Sequence, residues 1–301
     1  MLFTGLYTAL ITPFKNDSID VTALKNLVEM QIEAGVAGII LCGTTGECPT
    51  LTYEEHDLII ETAVKTAKGR TQIIAGTGSN STAEAISLTK SAKKYGADAC
   101  LVVTPYYNKP NQEGIYHHFK AVNDEGELPI IIYNIPSRCV VKISNETLAR
   151  LSKLEFIHGV KDSTGDLASL ASLRLMVDEK FCLISGEDAT ALGFNAMGGR
   201  GVISVTSNIA PKLCNDLQQA TLRGDFARAL QIQDNLDALH NLMFCDTNPA
   251  PVKYAASLMG LCGEDLRLPL TLPSQENKRK IEEGLKEFGL IPKLTFKKGK
   301  H

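Results

Sequence analysis

The sequence predicts an α/β protein: a closed (β/α)8 barrel over residues 1–224, followed by a helical extension over 225–301. Three observations carry this. Short apolar runs rich in β-branched residues alternate with longer amphipathic stretches about every 25 residues, up to roughly residue 225. Eight such pairs follow one another without a break in composition. No Gly-x-Gly-x-x-Gly turn follows the first strand, which argues for a closed TIM barrel over an open, doubly wound sheet.

Taken in order, a first strand at 6–11 feeds a helix at 21–34 that Gly35 closes. The second strand, 37–42, leads to a helix at 53–67. Thr52 and Glu55 form a capping box at its start, and Gly69 follows its end. The third strand, 72–76, precedes a helix at 82–95, opened by Ser81 and Thr82 ahead of Glu84 and closed by Gly96. The remaining pairs are 99–104 with 112–122, 130–134 with 145–154, 157–161 with 167–177, 182–185 with 188–197, and 201–205 with 211–222. Beyond them, helical periodicity recurs at 226–244, 250–261 and 275–288 with no strand between, so this part reads as an extension. Residues 295–301 carry three lysines on no periodic pattern and read as a solvated tail.

Composition narrows the function. With 301 residues, 44% hydrophobic and 22% charged, the chain has the makings of one large globular core. A formal net charge of −3 supplies no broad basic field for a phosphate backbone, so nucleic acid is not an expected partner. Apolar runs such as 37–42 and 129–133 fall far short of the roughly 20 residues that cross a bilayer. The N-terminus shows no signal-peptide pattern, and a cytoplasmic location is expected. The eight cysteines form no C-x-x-C pair and have no histidine at ligand spacing; they read as small buried hydrophobes. No metal or nucleotide cofactor is expected, because there is no Walker loop and no histidine cluster.

In a barrel of this kind the active site forms on the C-terminal ends of the strands. Applied here, that rule selects Thr44, Thr45, Tyr106, Tyr107, Tyr133, Arg138, Lys161, Gly186, Glu187 and the end of the eighth strand around Ile203. Lys161 closes an apolar strand, where partial loss of water favours the neutral, nucleophilic amine that captures ketones as Schiff bases. A lone lysine at a strand end more often snorkels to solvent; its surroundings here favour the nucleophile. Tyr133 ends the adjacent strand and is placed to pass protons. Gly43-Thr44-Thr45-Gly46-Glu47 is a tight turn that offers backbone N–H groups and two hydroxyls to a small carboxylate, or else an ordinary capped βα turn. Arg138 is able to fork onto a second carboxylate. Together these groups suit the condensation of a small keto acid with another small anionic carbonyl compound.

These motifs, with Pro105-Tyr106-Tyr107-Asn108, Tyr133-Asn134-Ile135-Pro136-Ser137-Arg138, Val160-Lys161-Asp162 and Gly201-Val202-Ile203-Ser204-Val205, resemble one known family. It is the dihydrodipicolinate synthase branch of the pyruvate-dependent class I aldolases, which also holds N-acetylneuraminate lyase. The resemblance runs over nearly the whole chain. It implies a homotetrameric lyase, without cofactor, that joins pyruvate to L-aspartate 4-semialdehyde on the diaminopimelate route to lysine. It implies Lys161 as the Schiff-base lysine, Tyr133 as the acid/base phenol, and Thr44 and Tyr107 as a proton relay, with Tyr107 reaching in from a neighbouring subunit. Thr45, Gly186 and Ile203 would hold pyruvate, and Arg138 the semialdehyde carboxylate; the sialic-acid lyases lack that arginine. Asn80, Glu84, His56, Tyr106 and Pro49 resemble the lining of an L-lysine effector pocket. Cys48, Pro49, Tyr53 and Cys139-Val140 depart from the usual pattern there and beyond Arg138. Other readings are a sister aldolase acting on a sugar acid, or a non-catalytic relative that binds keto acids or lysine.

Overall fold

The computed structural model describes residues 3–292; the lysine-bearing segment 295–301 lies outside them. Eight parallel strands close into a barrel: β1 (Gly5–Ala9), β4 (Gly38–Leu41), β5 (Gln72–Gly76), β6 (Ala99–Val103), β7 (Ile130–Asn134), β8 (Ile157–Asp162), β9 (Cys182–Ser185) and β10 (Gly201–Ser204). β1 seals the ring by pairing with both β10 and β4. A two-stranded hairpin, β2 (Phe14–Lys15) with β3 (Ser18–Ile19), forms part of the connection between β1 and the first helix. All eight expected strands are present, which makes this the predicted (β/α)8 barrel.

The period-two alternation of the strands sorts their side chains into two cores. Tyr7, Ile40, Ile74, Leu101, Ile131, Ile184 and Ile203 fill the barrel interior. Leu6, Ile39, Leu41, Ile73, Cys100, Val102, Ile130 and Ile132 face the helical layer. Gly38 has no side chain because the Tyr7 ring occupies that space, 2.6 Å from where its Cβ would lie.

The outer layer comprises α1 (Val21–Glu33), α2 (Tyr53–Ala67), α3 (Thr82–Lys94), α4 (Gln112–Gly126), α6 (Asn145–Leu151), α7 (Leu167–Arg174), α8 (Ala191–Ala196) and α9 (Pro211–Leu222). The four-residue α5 (Pro136–Cys139) sits between β7 and α6. The capping box of α2 forms as expected, and Gly35, Gly69 and Gly96 take positive φ just past their helices. From 225 onward, α10 (Phe226–Met243), α11 (Ala250–Leu258) and α12 (Gln275–Phe288) pack against the barrel. Among the described residues no helix is long and apolar enough to cross a membrane.

Several elements differ from expectation for identifiable reasons. The helix expected at 188–197 starts only at Ala191, because the Asp188 carboxylate accepts the backbone N–H groups of Val205 and Thr206 instead. β1 ends at Ala9; Ile11 N–H then goes to the Asn208 side chain rather than to a strand. α6 and α7 stop at Leu151 and Arg174, short of the expected ends at 154 and 177.

Candidate active site

The floor of the site is set by strand register. Tyr133 of β7 lies directly opposite Lys161 of β8, and the Lys161 Nζ sits 4.1 Å from the centre of the Tyr133 ring. Both are buried, with Lys161 only 6% exposed. The lysine stem is packed in the barrel and its amine lies over the face of the Tyr133 ring. Gly186, just past β9, is a glycine for steric reasons: a Cβ there would fall 1.9 Å from Ser163 Oγ and 3.0 Å from Lys161 Cε. Next to it, burial pushes the Glu187 carboxyl above the usual range, with Lys161 pulling it back. Ile203 is buried in the barrel interior on β10.

Beside the floor stands the turn that follows β4. Its backbone closes through Glu47 N–H to Thr44 O and Cys48 N–H to Gly43 O, and Thr12 Oγ1 donates to Gly46 O at 2.7 Å. Thr44 is half-buried, and Thr45 is buried. Glu47 takes a left-handed backbone (φ 56°) and makes a fully buried ion pair with Lys253 Nζ at 2.5 Å. Burial pulls the Lys253 ammonium down, and Glu47 opposes this. Asn248 Nδ2 donates to Thr45 Oγ1 at 3.0 Å, while Asn248 O accepts from Arg138 Nη2 at 3.2 Å. Sequence reasoning missed Asn248 and Lys253. A lysine inside an otherwise apolar helix, Ala250-Pro251-Val252-Lys253, was the one signal available.

A cavity of about 230 Å³ brings together Thr44, Tyr133, Arg138, Tyr106, Pro49 and Cys139 among others, whereas Thr45, Gly186 and Ile203 are not on its lining. Lys161 lies against the Tyr133 ring rather than on this lining. Tyr107 does not line it either: it is 91% exposed on a left-handed backbone (φ 69°). A neighbouring cavity of about 330 Å³ brings together Pro49, His56, Glu84 and Tyr106, four of the five residues singled out for an effector, with Tyr53 and Ser79. Asn80 is not among its lining; its carbonyl accepts from Asn108 Nδ2 at 2.8 Å. Bonds from Ser79 and from the Tyr53 hydroxyl hold the Glu84 carboxyl low. Burial pushes the His56 imidazole down, and its Nε2 bonds Gly76 O at 2.8 Å. Cys48, Pro49, Gly78 and Tyr106 line both cavities, so only a thin wall separates them.

Comparison with known proteins agrees with this geometry. The family model described as the dihydrodipicolinate synthetase family matches residues 2–288. The 4-hydroxy-tetrahydrodipicolinate synthase of Parvibaculum lavamentivorans is 57% identical over 96% of this chain and 100% of its own. A crystal structure of dihydrodipicolinate synthase from Aquifex aeolicus superposes with a TM-score of 0.94 at 49% identity, covering 96% of this chain and 99% of that one. The enzyme from Acinetobacter baumannii, solved as a complex with pyruvate, gives 0.94 at 44% identity over 96% and 99% of the two chains. That from Cyanidioschyzon merolae, solved with lysine bound, gives 0.93 at 35% over the same shares. The chain therefore belongs to the dihydrodipicolinate synthetase family, and it is a Schiff-base-forming lyase with the 4-hydroxy-tetrahydrodipicolinate synthase activity of its relatives.

Proposed function

We propose that Lys161 is the residue that carries the reaction, and that pyruvate and L-aspartate 4-semialdehyde are its partners. The supporting observation is the buried Lys161 amine, 4.1 Å from the Tyr133 ring at the C-terminal end of the barrel. The amine attacks the pyruvate ketone and water leaves, giving the imine; loss of a methyl proton then gives the enamine. The enamine carbon adds to the aldehyde carbon of the semialdehyde, whose oxygen takes up a proton. The semialdehyde amino group then displaces Lys161 from the imine carbon and closes a six-membered ring.

Tyr133 serves as the acid/base phenol, with Thr44 beside it on the same cavity. Thr45, Gly186 and Ile203 surround pyruvate, and Arg138 receives the semialdehyde carboxylate. The exposure of Tyr107 suits a residue that completes its relay in another copy of the chain, and so a homotetramer. The cavity with Glu84 and His56 suits the ammonium group of L-lysine as an effector. In this reading the part from 225 onward is an extension that braces the mouth of a barrel spanning 1–224, and the enzyme works in the cytoplasm.

The test is borohydride trapping with pyruvate, followed by intact-mass and peptide analysis. One pyruvate-derived adduct on Lys161, absent from Lys161→Ala, is expected. An unchanged mass, or an adduct on another side chain, overturns the assignment.

A further inference from the structure

We infer that Asn248 is a positioning residue that ties the two carboxylate subsites together: its side-chain amide orients the Thr45 hydroxyl, and its main-chain carbonyl fixes the Arg138 guanidinium. The inference rests on the proposed reading of Thr45 and Arg138 as the groups that hold the two substrate carboxylates.

A threonine hydroxyl has one proton to give, and a carboxylate only accepts. Thr45 Oγ1 accepts from Asn248 Nδ2 at 3.0 Å and donates to nothing among the described residues, so its proton is left for an anion that reaches the turn. A partner that accepted from Thr45 would consume that proton. Asn248 is 7% exposed, yet its Oδ1 has no hydrogen-bond partner among the described residues. Burying an unpaired acceptor costs stability. The amide therefore sits where Thr45 is served, not where its own bonding would be complete.

Asn248 is also firmly placed. Lys253, five residues on, makes the buried pair with Glu47, two residues beyond Thr45, so the segment grips the same turn at two points. Arg138 is exposed, and its only side-chain bond among the described residues is to Asn248 O. One residue thus sets the position of both carboxylate-binding groups. Because every variant at 248 keeps the carbonyl, loss of the side chain acts first on Thr45 and second, through a loosened backbone, on Arg138.

The experiment compares Asn248→Ala and the near-isosteric Asn248→Asp with Thr45→Ala and Arg138→Ala in the full chain. KM for each substrate and kcat are measured in the coupled condensation assay. Asn248→Ala is expected to raise the pyruvate KM about tenfold and the semialdehyde KM about threefold, with kcat falling less than either. Asn248→Asp, which removes the donor and adds a negative charge, raises the pyruvate KM further. Combined with Thr45→Ala, Asn248→Ala adds no further pyruvate defect. If Thr45→Ala raises the pyruvate KM but neither Asn248 variant does, or if the Asn248 variants lower only kcat, the inference is overturned and the reading of Thr45 stands. If Thr45→Ala leaves the pyruvate KM unchanged, it is that reading which is overturned.

Discussion

The turn at 43–47 and the segment at 136–140 both follow a barrel strand and both face a proposed carboxylate subsite, yet they are built in opposite ways. In the first, Thr45, Gly46 and Glu47 are buried and bonded from four directions, by Thr12, Asn248, Lys253 and the backbone N–H of Arg267. In the second, Ser137, Arg138 and Val140 are exposed, and Val140, a β-branched residue, holds a left-handed backbone at φ 66°. The difference fits a two-stage reaction. In the proposed reading, the ketone captured covalently meets a cradle held from several sides, and the second substrate meets an exposed arm whose arginine is held, among the described residues, by a single bond to Asn248 O.

The largest effect is expected on the gripped side. Lys253→Met strands the Glu47 carboxylate in the interior and should cost about 3–5 kcal/mol in urea unfolding. Adding Glu47→Gln should restore much of that loss. A loss below about 1 kcal/mol in the single variant would mean that the turn is not held from the extension.

On the exposed side the sign reverses. Val140→Gly relieves the left-handed strain, and after the entropy cost of glycine a net gain of roughly 0.5–1 kcal/mol is expected. An equal or lower thermal midpoint would show that the arm carries no strain.

The smallest effect is a pH dependence beneath both regions. Burial raises the Glu187 carboxyl in the folded state, so stability linked to its protonated form is full below the ordinary value of 4.5 and is lost as pH rises through the folded value. Glu187→Gln should therefore melt above the wild type at neutral pH, with the advantage shrinking as pH falls toward 4.5. An advantage that grows on acidification would reverse the assignment.

Much of this was legible from residue order. The strands showed as apolar β-branched runs because both their faces are buried, and several helix ends showed in local caps and glycines. Lys161 and Tyr133 were legible as a pair because they close adjacent strand runs among other polar strand-end residues; either one alone has an ordinary structural reading. The β2–β3 hairpin and α5 were not legible, since two-residue strands and a four-residue helix are too short to show a period. The late start of α8 was hidden because Asp188, a plausible cap by type, spends its carboxylate on another strand's N–H groups.

The sequence by itself determined the barrel, its direction and the strand ends that carry the amine and the phenol, because these follow from local periodicity and short-range register. Only the tertiary structure decided that Asn248 meets Thr45 across 203 positions and that Lys253 meets Glu47 across 206. Asn248 carries no local signature, and a lysine in an apolar helix at 253 does not name its partner. A buried polar group is satisfied by whichever partner the closed fold delivers, and residue order does not encode that delivery.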